Sequence, residues 1–497
     1  MIALRRNFSR TILFRGLLLL MLAASVAARA QSNSPPGAIL LLDNLGRVVK
    51  VPTNEVPSQL HPPANIGLKH QIPNPRNGSI MSGEVQQRLQ EGAAGFQFFP
   101  AVPPRLMPYL ASQDDFGNTA IRPGALIPFV AFEPLVQGGK YRLSEYGFRY
   151  ELEQTLTFVS MTDVMKGDNN LGYYTLDFKA KWAVFDAPAA GTAGWVSTQV
   201  EAKSGVGPAG GKQSAKSNLG TVTDPTGIWS SVNGVRVPEL AWQESLRDGE
   251  IVAVAGAINQ ENYMDRNVYA QNGRSQFFNS ALIDSMVLPL GSYNFGFNLQ
   301  WQPVDEWYAM LGGNAGNTRA GFAPWTDFSL ENWSLIWEIG YAPRDLFGLG
   351  PGIYRIQPFL AESGGSTGGG LCFDLQQKLG AQSPFGWFGR FGFGASDVSN
   401  GAAAQIGTGF VMQGPFKHLL FDRTGNDLLG VGFIWSQPSE TTKTVYHQNE
   451  YALETSYAMQ LTPTIKLQPD FQVVWNPAFH RDTDHALVFQ LQLAMAW

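Results

Sequence analysis

The sequence predicts an all-β fold, a transmembrane antiparallel β-barrel of about 16 strands that follows a mostly irregular N-terminal extension. Three observations predict it. The C-terminus alternates between apolar and polar or small residues up to the last position, and similar alternation recurs from about residue 146 onward. The composition is rich in glycine and aromatic residues and poor in charged ones.

The apolar face of the C-terminal segment consists of Leu487, Phe489, Leu491, Leu493, Met495 and Trp497. Chain ends are usually frayed and solvated, so a soluble protein gains little from such an ending. A transmembrane barrel does gain, because its last strand pairs with the first, faces lipid and anchors an aromatic residue at the interface. The segment therefore predicts a bacterial outer-membrane location, with Trp497 at the periplasmic interface. Outer-membrane lipid and the barrel-assembly machinery, which would contact the Trp497 strand, are expected partners.

The N-terminus resembles a secretory signal peptide that spans residues 1–30. Four arginines precede an apolar run from Gly16 to Val26, and Ala28-Arg29-Ala30 supplies a small-residue cleavage site. About 11 apolar residues fall short of the roughly 20 that a membrane anchor needs. A twin-arginine signal at Arg5-Arg6 is the alternative export route. The single cysteine, Cys372, allows neither a lipidated cysteine after the signal nor a disulfide.

The composition favours a barrel over a soluble enzyme. The chain has 54 Gly, 32 Phe, 15 Tyr and 13 Trp, and only 15% of its residues are charged. The outer surface of a barrel needs aromatic side chains and not charges, and its turns tolerate glycine. The net charge of -5 gives no indication of nucleic-acid binding.

The period-two segments define the predicted strands. One example is Phe148, Tyr150, Leu152, Leu156 and Phe158, interleaved with polar residues. A water-soluble β-sandwich also alternates in this way and is the alternative fold. The segments start near residues 148, 173, 195, 238, 251, 291, 307, 332, 353, 371, 386, 405, 428, 450, 464 and 486. This number is even, as single-chain bacterial barrels require, and it predicts that the last strand closes against the strand near Phe148.

The predicted connections alternate in length. Long ones, such as Ser204 to Val237 and Asn259 to Leu290, follow odd-numbered strands, whereas tight ones, such as Arg247 to Glu250, follow even-numbered strands. The glycine runs between residues 364 and 370 are expected in a loop. This pattern predicts long external loops, short periplasmic turns and periplasmic chain ends.

Residues 31–140 differ from the barrel domain, which is predicted at residues 141–497. The region is dense in proline, which cannot donate a hydrogen bond within a sheet. Two short segments, Ile39 to Leu42 and Val48 to Val51, could pair. The region is interpreted as a periplasmic extension or as a plug that lies in the lumen, and the sequence leaves both open.

Several short motifs, taken in order, resemble the carbohydrate-selective porins of the OprB family. They include Asn262-Tyr263-Met264-Asp265-Arg266-Asn267, Ser275-Gln276-Phe277-Phe278-Asn279 and Pro351-Gly352-Ile353-Tyr354-Arg355. Leu461-Thr462-Pro463 and Gln468-Pro469-Asp470-Phe471-Gln472 follow near the end. The resemblance covers roughly residues 142–497. It implies a barrel of about 16 strands that passes carbohydrates by diffusion, with no cofactor, and it assigns no sugar-binding residue.

Parity predicts which side chains would line such a pore. Charges must point inward, because Lys or Arg at mid-depth on the lipid face costs about 2–4 kcal/mol. The pore-lining candidates are Arg149, Glu151, Glu153, Asp177, Lys179, Lys181, Glu201, Glu338, Arg355 and Arg390. The long connection from Asn259 to Leu290 is expected to fold inward and narrow the pore. Its aromatic residues are candidates for stacking against sugars at the constriction: Tyr263, Tyr269, Phe277 and Phe278.

Each candidate has a simpler interpretation, in which the wall residues only solvate the lumen and the loop aromatics only pack the loop. Alternative functions are a general diffusion porin, a porin for anionic or aromatic solutes, and an outer-membrane barrel hydrolase. The best residues for a hydrolase are the histidines and carboxylates from His480 to His485, which are expected in an exposed loop. No serine occurs in a nucleophile-elbow pattern. No metal or nucleic-acid partner is expected, and the sequence leaves monomer and homotrimer open.

Overall fold

The structure of the protein is a computed structural model. It describes residues 38–42, 48–52, 143, 146–187, 191–207, 213–227, 234–247, 249–290, 294–315, 331–380, 383–415, 427–440, 447–462 and 464–496. The predicted signal peptide, most of residues 31–140 and Trp497 lie outside these ranges. Within the N-terminal region, Ala38–Leu42 pairs with Val48–Pro52 in an antiparallel hairpin, which confirms the predicted pairing.

Sixteen antiparallel strands form a closed barrel. In chain order they are β1 (Phe148–Met161), β2 (Asn170–Ala187), β3 (Thr192–Val206), β4 (Gly234–Leu246), β5 (Ile251–Ile258), β6 (Asn294–Val304), β7 (Trp307–Ala315), β8 (Trp333–Tyr341), β9 (Gly352–Ser363), β10 (Ser366–Lys378), β11 (Phe385–Gly394), β12 (Ala402–Gln413), β13 (Leu428–Pro438), β14 (Glu450–Thr462), β15 (Ile465–Trp475) and β16 (His485–Ala496).

Each strand pairs with its neighbours in sequence, and β16 closes the barrel against β1. Leu491 lies opposite Phe158 and Leu493 lies opposite Leu156 in this closing pair. The predicted strand number and the predicted closure are therefore confirmed. Closure matters because it leaves no strand edge with unpaired backbone groups in the hydrocarbon layer.

The two faces of the barrel wall differ as the period-two pattern predicts. On β6, Phe297, Leu299 and Trp301 are exposed on the outer surface, whereas the alternating Asn298 and Gln300 are buried on the inner one. The same outward exposure of large apolar side chains recurs on strands around the barrel. This outer surface suits contact with lipid, and the inner surface is polar.

The connections follow the predicted alternation with exceptions. Long connections follow β3 and β5, and a two-residue turn joins β6 to β7. However, β9 is followed only by Gly364 and Gly365, which have φ values of 59° and 85° and so suit a tight hairpin turn. The expectation that the glycines at 368–370 lie in a loop is wrong. They belong to β10, which pairs there with β9.

In the part of the chain from 146 to 496 that the structure describes, helical segments occur only in the long connections and are short. The β3–β4 connection carries α1 (Ala215–Leu219), which Ser214 caps. The β5–β6 connection carries a 3-10 turn (Gln260–Asn262) and α2 (Ser280–Ile283), which Asn279 caps. Among the described residues, no helix has the length and apolar character needed to cross a membrane.

We expect a charge on the outer face to destabilise the barrel. Phe433 lies at the middle of β13 and is 40% exposed on that face. Phe433→Arg should lower the free energy of unfolding in lipid vesicles by about 2–4 kcal/mol, because the guanidinium must enter hydrocarbon. Urea-dependent unfolding from vesicles measures this change, and Phe433→Leu is the control. Equal stability of the two variants would contradict contact between this face and lipid.

Candidate pore and its infolded loops

The connection between β5 and β6 folds into the barrel; its described residues, 259–290, are called the crossing loop below. Tyr263 donates a hydrogen bond from its hydroxyl to Glu239 Oε1 on β4, at 2.8 Å. On the other side, Phe278 donates its backbone N–H to Glu454 on β14. The loop therefore reaches strands on distant parts of the wall.

The apolar side of the crossing loop packs where the inner wall carries glycine. The Phe277 ring lies over Gly430 on β13, where an added Cβ would come within 2.6 Å of that ring. Val287 lies similarly over Gly392 on β11, at 3.2 Å from such a Cβ. A larger side chain at either glycine would occupy the volume that the loop fills, so these glycines accommodate the loop.

A buried ionic network fixes the middle of the crossing loop. The Arg390 guanidinium lies 3.2 Å from Asp265 and donates hydrogen bonds to the carbonyl oxygens of Ala270 and Leu282. Burial raises the pKa of the Asp265 carboxyl to about 7, and the Arg390 guanidinium opposes this shift. Because charges buried in this way are costly unless they are paired, each partner depends on the others.

Three predicted pore residues belong to this network. Arg355 contacts Asp374 at 2.5 Å and the Tyr308 hydroxyl at 2.8 Å. Glu338 accepts hydrogen bonds from that hydroxyl and from the Asp265 backbone. Glu338, Arg355 and Arg390 thus lie on the inner face, as parity predicts. Each is at most 2% exposed, so they hold the loop and offer almost no surface to a solute.

The backbone of the crossing loop is bound by side chains of β14, β15 and β16. Glu454 accepts N–H groups from Phe278 and Asn279, at 2.5 and 2.9 Å. Gln468 donates to the carbonyl of Gln276, and Gln492 donates to the carbonyl of Gly273. These contacts satisfy backbone groups that are buried inside the barrel, where leaving one unpaired is costly.

A second loop, residues 213–227 between β3 and β4, folds inward as well. Glu450 accepts N–H groups from Val222 and Thr223, and the Pro225 carbonyl accepts from Gln472 and Gln490. The backbone of Asp224 also exchanges hydrogen bonds with Ser280 of the crossing loop, each at 2.8 Å. The sequence indicates the length of this connection but does not predict its docking.

The other charged candidates form a second group, on β1 to β3. Lys179 lies 2.6 Å from Glu153 and 3.4 Å from Glu151. Arg274 of the crossing loop pairs with Asp177 and lies 3.6 Å from Glu153. The side chains of Lys179 and Arg274 keep 20% and 12% exposure. Glu153, Thr464, Lys466 and the segment from Ala494 to Ala496 surround Arg274.

Further cations lie beside this group; the charged residues of β1 to β3, with Arg274 and Arg236, are called the charged wall below. Glu201 contacts Lys203 at 3.1 Å and Arg236 at 2.5 Å, and neither cation is among the candidates that the sequence predicts. Lys203 shares the parity of Glu201, so the same rule would find it. Lys181 donates to Gln243 and lies 4.5 Å from the centroid of the Trp195 ring. Arg149 is exposed near the start of β1.

The loop aromatics have a packing role in the structure. Tyr269, Phe277 and Phe278 have no exposed surface, so their rings offer no face on which a sugar could stack. Tyr263 is partly buried and is held by its hydrogen bond to Glu239. The three buried rings pack the folded loop, as the simpler interpretation predicts.

The residues just before β16 contact the second loop, residues 213–227, and the expectation of an exposed loop is wrong for His480, which is buried. The backbone N–H of Phe479 donates to the carbonyl of Gly220 at 2.7 Å, and His480 is buried beside that glycine. In the described ranges, no group of three or more His, Cys, Asp or Glu side chains is arranged to hold a metal ion.

Removal of the Phe277 ring should loosen the crossing loop. Deletion of a buried phenylalanine side chain costs about 3–5 kcal/mol, and here the loss falls on the docking of the loop against Gly430 and Phe388. We expect Phe277→Ala to increase single-channel conductance or current noise in planar bilayers. Phe410→Ala, on the outer face, should leave the conductance unchanged. Wild-type conductance in both variants would contradict a narrowing role for the loop.

Comparison with solved structures shows a similar barrel fold in a known protein. The high-pH structure of Pseudomonas putida OprB is similar with a TM-score of 0.58 and 14% identity, covering 72% of this chain and 96% of that one. The low-pH structure of the same protein gives a TM-score of 0.46 and 13% identity, covering 73% and 96%. The comparison with curated proteins finds no match.

The sequence matches the family model of the carbohydrate-selective porins of the OprB family. The match spans residues 192–367 and 365–496, which is more than half of the chain and includes β3 to β16. Its second part includes Glu450, Glu454 and the glutamines that bind the loops. The chain belongs to the OprB family of carbohydrate-selective porins.

Proposed function

We propose that the barrel passes small, uncharged carbohydrates across the outer membrane by diffusion. Family membership supports the solute class. The observation that carries the proposal in this chain is the pairing of opposite charges around Arg274, where Glu153, Asp177 and Lys179 meet in the lumen. Because the charges alternate in sign, this wall attracts neither anions nor cations strongly, and its donors and acceptors suit hydroxyl groups.

The crossing loop would set the size of the solutes that pass. It fills the side of the lumen next to the glycines of β11 and β13 and directs Arg274 toward β1 and β2. The solutes would then pass through the lumen beside the charged wall. Affinity must remain weak, about millimolar or near -4 kcal/mol, because tight binding would stall passage.

The orientation and export of the chain form a second part of the proposal. Residues 1–30 would direct export and be removed, and residues 31–140 would lie on the periplasmic side or in the lumen. The long connections after β3 and β5, which fold into the lumen, would enter it from the external side, and the C-terminal strand ending in Trp497 would be recognised by the assembly machinery. N-terminal sequencing of the protein from outer membranes should give Gln31 as the first residue.

Solute uptake into liposomes tests the main proposal. We expect proteoliposomes to swell faster in glucose or maltose than in amino acids or organic acids of similar size. Empty liposomes, and liposomes with heat-unfolded protein, are the controls. Faster uptake of the charged solutes would refute the carbohydrate assignment and favour a general or anion-selective porin.

Removal of Arg274 should make the pore prefer cations. Arg274→Ala leaves Asp177 and Glu153 without this guanidinium, and one unit charge at about 4 Å is worth about 1 kcal/mol in water, or about fivefold in relative permeability. Reversal potentials in a salt gradient measure the change. The control is Arg344→Ala, which removes an exposed arginine paired with Asp305 and should leave selectivity unaltered. Equal reversal potentials for the two variants would exclude Arg274 from the conduction route.

A further inference from the structure

One aromatic ring on the inner face of the barrel wall keeps an accessible surface. Trp195 has the same parity on β3 as Glu201, and it is partly exposed. The adjacent Gly194 faces outward, because an added Cβ there would meet the exposed rings of Phe185 and Trp242. Trp195 therefore faces the lumen, near the end of β3 that follows the β2–β3 turn.

The other aromatic rings on this face are covered. Phe388, for example, packs against Phe277 of the crossing loop. On the described strands, the inward-facing aromatic residues that are at most 3% exposed are Tyr173, Tyr308, Phe359 and Phe388. In this part of the chain, Trp195 is thus the inward-facing aromatic residue of the wall that a solute in the lumen can contact.

Lys181 of the charged wall fixes the position of the Trp195 ring. Its ammonium lies 4.5 Å from the ring centroid and donates a hydrogen bond to Gln243, which lies opposite Trp195 on β4. The indole N–H has no hydrogen-bond partner among the described residues, and its nitrogen keeps accessible surface. Because an indole N–H in a confined site usually has a partner, this one is available to a solute.

We propose that Trp195 is a stacking site for the pyranose ring of a carbohydrate; this inference rests on the proposed carbohydrate diffusion. The C–H groups on one face of a pyranose form an apolar surface, and the electron-rich face of an aromatic ring attracts them. The indole N–H donates to a hydroxyl oxygen of the same solute. Together these two contacts select a ring-shaped, hydroxyl-bearing solute and not an ion.

The position of Trp195 makes it a second contact along the proposed route. Arg274 pairs with Asp177, which lies opposite Glu201 of β3. Trp195 precedes Glu201 by six residues, or about 20 Å along the strand. In the proposed orientation the β2–β3 turn is periplasmic, so a sugar that enters from outside meets Arg274 first and Trp195 before its release.

Current block by glucose in planar bilayers tests the stacking site in the full-length protein. Trp195→Leu keeps an apolar side chain and removes both the ring face and the N–H. We expect the glucose concentration for half-block to rise about three- to tenfold, the range typical of aromatic contacts. Any block by sorbitol, an open-chain polyol without a ring face, should be unaltered. Conductance in sugar-free salt should stay at the wild-type level, because no charge changes.

Two further variants make the test decisive. Trp195→Phe retains a ring face and should stay within about threefold of the wild type. Trp182→Leu removes a tryptophan that is 53% exposed on the outer face, opposite Val196, and should leave the block unaltered. An unchanged glucose half-block concentration in Trp195→Leu, or an equal rise for glucose and sorbitol, would overturn the inference while wild-type uptake persists. Failure of the proposed function would overturn both and looks different, since wild-type protein would then show neither glucose block nor carbohydrate uptake.

Discussion

Every buried backbone N–H and C=O group of this chain needs a hydrogen-bond partner, and this requirement governs both sides of the barrel wall. In the wall itself the strands satisfy one another, and the pairing of β16 with β1 removes the last free edge. Inside the barrel, the infolded loops bring backbone groups that no strand can pair. The wall supplies side chains for them, chiefly Glu450, Glu454 and the glutamines of β14 to β16.

The inner face is therefore divided by what each part contacts. Glycines on β11 and β13 leave room for the apolar side chains of the crossing loop, and the Arg355 and Arg390 network fixes its middle. The paired charges of β1 to β3 meet Arg274 of the same loop. One loop thus fills one side of the lumen and supplies a cation to the other side, so the size and the charge of the proposed route would depend on the same segment.

The sequence alone predicts much of the wall, because a period of two assigns each residue to a face without knowledge of its partners. Strand number, closure and the inward direction of Glu338, Arg355 and Arg390 follow from it. Their partners do not follow, because parity does not reveal what occupies the lumen. The period-two rule makes no prediction for Arg274, because this residue lies in a loop without alternating apolar and polar positions. Likewise the buried rings of Tyr269 and Phe277 look the same in sequence as exposed ones.

The binding of both loops by the last strands also sets an order of events during assembly. Phe278 and Glu454 are separated by 176 residues, and Pro225 and Gln490 are separated by 265. These contacts cannot exist until the C-terminal strands have been made and brought beside the loops. Because contacts between distant segments form slowly, the two loops reach their final positions in the lumen only when the barrel closes. A half-assembled sheet has no lumen of its final shape, so the proposed selectivity would be a property of the finished molecule alone.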